Sequence, residues 1–217
     1  MKLFYLTTLL MLFATCMYAQ FNAGDKVLGG SFSLNASKNE QLPYVNSDFG
    51  INVSPSFAKF KTANTAVGFK ILGQYSNAKT ETPNSGYQKN RYWSAGAGVF
   101  GQRYFFIGSQ FFVMGEAGFN ASYNKGKVTY GESTYTNSSG FSGGFYLAPG
   151  FGIKLSKKFL LDLTLNNLAV ITYHHSINKS VVAGADGGKS KVNNFSVSSN
   201  LNGNTLGNLG LGFRWLM

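Results

Sequence analysis

The stretch NLGLGFRWLM, residues 208–217, decides how the rest of the chain is read. Leu209, Leu211, Phe213, Trp215 and Met217 fall on every second position, with a lone arginine, Arg214, out of phase among them. Successive side chains of a strand point to opposite faces, so this period puts five large apolar groups on one side. Such a strand needs an apolar medium on its bulky side. The arginine needs something else on the other.

The same alternation recurs along the chain. In residues 47–59 Phe49, Ile51, Val53, Pro55 and Phe57 share one face. In 65–77 Val67, Phe69, Ile71 and Tyr75 oppose Lys70 and Gln74. In 110–123 Val113, Ala117 and Phe119 oppose Met114, Glu116 and Asn120. In 140–154 Phe145, Leu147, Pro149 and Phe151 oppose Gly144, Tyr146 and Lys154. With 25–36, 90–103, 159–174 and 205–217, the pattern predicts eight strands. The fourth, NRYWSAGAGVFGQR, alternates poorly and its faces stay unassigned. Several segments reach ten residues or more, the length of a membrane strand (about 9–11 residues) rather than a soluble one (about 5–6). Connections after the even strands are short, and those after the odd strands are long and polar. Pro55 and Pro149 lie inside proposed strands, where they cannot donate to the ladder, so bulges are expected there.

Composition agrees. Charged residues make up only 12% of the 217 against about 25% in soluble domains. Aromatics reach 16%, too many for disorder. At the N-terminus, Lys2, the apolar run from Leu3 to Ala14 and the small residue Ala19 read as a secretory signal peptide over 1–19, leaving 20–217 as one barrel domain. Cys16 offers a lipoprotein alternative. Cleavage before Gln20 removes the only cysteine, so no disulfide or thiolate metal site remains. No later apolar run approaches the length of a membrane helix. The net charge of +11 raises nucleic acid as a partner, but the basic residues are scattered over loops and turns, and that partner is not expected.

These features make the chain resemble the small outer-membrane β-barrel proteins of Gram-negative bacteria, the OmpA/OmpX-like porin-family group. The resemblance rests on the leader, the eight segments, the loop asymmetry and the terminal GLGFRWLM. It implies an all-β, closed, antiparallel eight-stranded transmembrane barrel in the bacterial outer membrane, with long extracellular loops. Strands span lipid only if the sheet closes on itself, so the last strand should pair with the first. Phe57, Phe69, Phe119, Phe151 and Phe213 then face lipid. Phe213 and Trp215 resemble the C-terminal signal read by the barrel-assembly machinery, although Met217 stands last where the family has phenylalanine. The soluble alternative is a secreted eight-stranded cup with the aromatics turned inward.

An eight-stranded barrel is just wide enough for side chains to fill it. Lys70, Glu116, Lys154, Asp162 and Arg214 point inward by alternation, and Lys154 is placed to pair with Asp162 across the LSKK turn. Isolated charges there are costly, which predicts a paired plug. The expected role is therefore non-enzymatic: structural or interactive, with no cofactor or metal. Outer-membrane lipid and lipopolysaccharide are the expected neighbours, and the loop partner is unspecified. A narrow porin for small solutes is the alternative. A third reading comes from His174 and Ser176, which resemble part of the site of the lipid A deacylases, although Ile177 separates the serine from Asn178.

Overall fold

A computed structural model describes residues 21–41, 44–82, 86–130, 133–166, 168–182, 185–199 and 209–217. The leader at 1–19, Cys16 and the expected cleavage site lie outside them. Ten strands follow in order: β1 (Lys26–Gln41), β2 (Tyr44–Thr62), β3 (Thr65–Thr82), β4 (Gly86–Ile107), β5 (Phe111–Tyr130), β6 (Ser133–Lys154), β7 (Phe159–Leu165), β8 (Ala169–Val182), β9 (Ala185–Ser199) and β10 (Leu209–Leu216). All pairings are antiparallel. Strands β1 to β6 each pair with the next, β6 pairs with β7, β7 with β10, and β10 with β1, so eight strands close a ring.

The seventh and eighth strands are each divided in two. Next to Pro149 the ladder of β6 passes from β7 to β8: Gly150 pairs with Thr164, and Leu147 with Ala169. Between those two pairs the register shifts by two residues, an even number that keeps every later side chain on its face. Pro55 needs no such break. It sits opposite Gly30 with the register unshifted on either side. Among the described residues β9 pairs with β8 alone, and β1 beyond Phe32 pairs with β2 alone.

The turns at 63–64, 108–110 and 155–158 share one end with the described termini, hereafter the terminal end. Gly108 makes the middle one possible with a φ of 68°. At the far end the expected long loops are instead strand. The alternation of polar residues continues the pairing to Thr82–Gly86 and Tyr130–Ser133, leaving 42–43, 83–85, 131–132 and 183–184 between strands. Polar sequence signalled exposure, and the hairpins satisfy their own backbone bonds there.

The bulky rows point outward. Phe69 is 54% exposed, Phe119 38%, Phe151 50% and Phe213 44%, which rules out the cup with inward aromatics. Phe57 lies in the same outer layer, half-buried against Phe69 at 5.7 Å between rings. The fourth strand resolves as well: Trp93, Val99 and Phe105 are outside, while Phe100, Gln102 and Tyr104 are buried inside. Its faces were illegible because Ala, Gly and Ser occupy both. Two aromatic levels, Tyr75, Trp93 and Tyr123 above and Phe105, Phe111 and Phe151 below, lie about ten to twelve residues apart along the strands. That is the span of an apolar band about 25 Å tall.

Candidate functional site: the filled lumen

Alternation sends one residue in two into the ring, and the terminal end receives the large ones. Phe60, Tyr104, Phe112, Met114 and Leu160 are fully buried there. Phe21, which precedes β1, folds under the ring and packs on Phe60 at 4.2 Å, Phe106 at 5.1 Å and Tyr104 at 5.5 Å. This apolar layer was not legible in the sequence. Phe21 belongs to no strand, and Phe60 and Tyr104 lie just past the expected second and fourth strands, where turns were expected.

Above that layer lies a layer of charge. Arg214 Nε donates to Asp162 Oδ2 at 2.6 Å and Nη2 donates to Oδ1 at 3.4 Å, a two-pronged contact. Its Nη1 donates to Gln102 Oε1 at 3.0 Å and to the Tyr104 hydroxyl at 3.3 Å. Thr164 donates its hydroxyl to Asp162 at 2.9 Å. Gln102 passes the chain on, donating Nε2 to Glu116 Oε2 at 2.6 Å. Glu116 also accepts from Lys70 Nζ at 2.9 Å and from the Tyr146 hydroxyl at 2.6 Å. The Lys70 ammonium lies 4.1 Å from the centre of the Tyr146 ring. Two cations and two carboxylates thus share one hydrogen-bonded layer with no net charge. Room for it comes from glycine: a Cβ at Gly212 would overlap the Asp162 carboxylate.

Of the five inward charges expected from alternation, four meet in this layer. Lys154 does not. It stands opposite Leu160 on the terminal rim, and Asp162 is satisfied by Arg214 instead. The expected Lys154–Asp162 pair is corrected, because the arginine on the adjacent strand offers two donors in a fixed fork. A chamber of about 40 Å³ remains beside Lys70, Glu116, Asp162 and Arg214, space for a water or two.

Farther up, the lumen is polar, and near the far rim Asp48 accepts from the Ser37 hydroxyl at 3.4 Å. Asn52 donates to Ser33 at 3.1 Å, Asn124 donates to Ser142 at 3.0 Å, and the Ser122 and Ser142 hydroxyls are 2.9 Å apart. His174 and Ser176 face this upper lumen, opposite Ser142 and Gly140. Among the described residues no hydrogen bond joins them, and the apolar outer face is on the other side of the wall. His175 points outward and meets Asn193 at 2.7 Å. At the far rim Lys79 donates to Glu81, and its hydrogen bond and charge hold that carboxyl below its ordinary pKa.

No family model matches the chain, and no curated protein does. Solved structures do. The outer membrane protein OprG from Pseudomonas aeruginosa aligns with a TM-score of 0.51 at 14% identity, over 91% of this chain and 98% of that one. Neisserial surface protein A (NspA) aligns with a TM-score of 0.36 at 14% identity, over 88% and 96%. Together with the ring, its outward aromatic rows and its filled interior, the likeness to OprG is one of architecture: the chain has the fold of the small outer-membrane β-barrels.

Proposed function

We propose that the protein is a non-enzymatic barrel of the bacterial outer membrane, closed to solutes by its own side chains, with a structural or interactive role at the envelope surface. The observation that carries this reading is the stack in the lumen: an apolar layer around Phe60 and Phe112 beneath the Arg214–Asp162 and Lys70–Glu116 pairs. A solute would have to break a charge-neutral buried network and then displace packed aromatics. The exposed apolar belt between two aromatic levels supports the membrane setting. The terminal end is then periplasmic and the far end external.

Above the upper aromatic level the strands carry Lys79, Lys89, Arg91, Lys125 and Lys127. That basic collar supports contact with the phosphates of lipopolysaccharide, and the protruding hairpins supply the surface for partners. Phe213 and Trp215 on the outer face of β10 suit the proposed assembly signal. The test is single-channel recording in planar bilayers, with heat-modifiable gel migration as the check on folding. Folded barrel that stays silent supports the plug. Stable openings by pure folded protein would replace it with the narrow-pore reading.

A further inference from the structure

The outer wall holds one feature that the plugged barrel does not use. A trench of about 710 Å³ runs across β3, β4, β5, β6 and β8, and continues into a second hollow of about 420 Å³ sharing Gly101, Ala117 and Leu147. Each volume falls within the range of small-ligand sites (about 300–1,000 Å³). The trench follows one row of the ladder, Val67–Gly101–Ala117–Leu147–Ala169. Its floor is low because Gly101, Gly115 and Ala117 replace the bulky residues that the outer face carries elsewhere. Val99, Phe119 and Phe145 wall it on one side.

The row is not level. Val67 lies close to the turn at 63–64, Gly101 and Ala117 lie farther from the turn at 108–110, and Ala169 lies beyond the whole of β7. The trench therefore starts at the terminal rim and climbs toward the middle of the apolar band. At its low end stand two exposed cations on the lipid face. Arg103 is paired with Thr65 on one side and Gly115 on the other, and Lys59 is opposite Val67. Lys59 and Arg103 flank β3, about 12 Å apart by two strand spacings and a stagger of two residues. Among the described residues no carboxylate pairs with either; the Arg103 guanidinium lies over the Phe105 ring at 5.4 Å. A forked donor, an ammonium and the Thr65 side chain at the membrane boundary form the recognition chemistry of a phosphate. An apolar trench rising from it fits an acyl chain.

We propose that this trench is a binding site for a glycerophospholipid of the inner leaflet of the outer membrane, its phosphate held by Arg103 and Lys59 and one acyl chain lying over Gly101 and Ala117. The proposal rests on the membrane setting inferred above, and its test keeps the two apart. Full-length mature barrel, folded in detergent and titrated with dioleoylphosphatidylglycerol, is examined by native mass spectrometry, with heat-modifiable migration reporting the fold. Wild type is expected to retain one phospholipid. Gly115→Leu, where a Cβ meets nothing within 4 Å, fills the trench without displacing its walls. That variant and the double change Lys59→Gln with Arg103→Gln should each lower retention at least tenfold, while Lys157→Gln on the turn leaves it unchanged. Equal retention by all four proteins overturns the site, as does a folded wild type that retains no lipid; neither result touches the barrel reading. Failure of the wild type to form a heat-modifiable barrel overturns both.

Discussion

The two halves of this barrel share six continuous strands, yet differ in almost everything inside the wall. At the terminal end the ring is closed through β1 and β10, the lumen is packed, and the charges are paired in one layer. At the far end the lumen is lined by asparagine and serine. There β9 is exposed on both faces over residues 188–199, and Phe195 and Val197 are 68% and 70% exposed. Of the four buried side-chain oxygens without a partner among the described residues, those of Asn77, Asn120 and Asn137 lie above the charge layer, and only that of Asn64 lies at the terminal turn. The difference teaches where stability resides. One half is a packed core that happens to be surrounded by a sheet, and the other is a polar lumen whose last strand, β9, stands exposed.

The sharpest way to break this contrast is Asp162→Ala. It leaves Arg214 buried without its counter-charge, and we predict a loss of about 3–5 kcal/mol in urea unfolding followed by the cold-to-heated gel shift. A loss below about 1 kcal/mol would mean that bulk water reaches the layer and the packed-half description is wrong. Leu160→Ala, fully buried in the apolar layer, should cost about 2–5 kcal/mol by the same measurement. In the far half, Asn124→Ala removes a hydrogen bond to Ser142 in a polar setting, and about 1 kcal/mol is expected. Phe195→Ser should change stability by no more than about 0.5 kcal/mol, since that ring is mostly exposed. Hydrogen exchange gives the contrast residue by residue: amides of β10 should open only with the whole barrel, and those of β9 far more readily. Uniform protection across both strands would erase the distinction.

Much of the architecture could be read because the period of a strand is two and needs no partner to be recognised. The outward rows that hold Phe69, Phe119, Phe151 and Phe213 follow directly from it, and so does the inward direction of Lys70, Glu116, Asp162 and Arg214. Where both faces carry small residues, as in NRYWSAGAGVFGQR, the period has no contrast, and Gln102 was lost with it; Tyr104 lies just past that stretch, where a turn was expected. The candidate site was half legible for the same reason. Alternation says that a charge points inward, but not which strand stands beside it.

By itself, then, the chain determined its class, the outward and inward faces of every strand but the fourth, and the sign of each lumen charge, because these depend on side chains one or two positions apart. Only the tertiary structure decided that Asp162 takes Arg214 in place of Lys154. The same holds for Phe21 folding under the ring, the split of the last two strands near Pro149, and the line that Gly101, Ala117 and Arg103 form on one slope of the wall. Those outcomes hang on register and closure, which join residues as far apart in sequence as Gln102 and Arg214 or Lys26 and Met217. No local pattern carries that information.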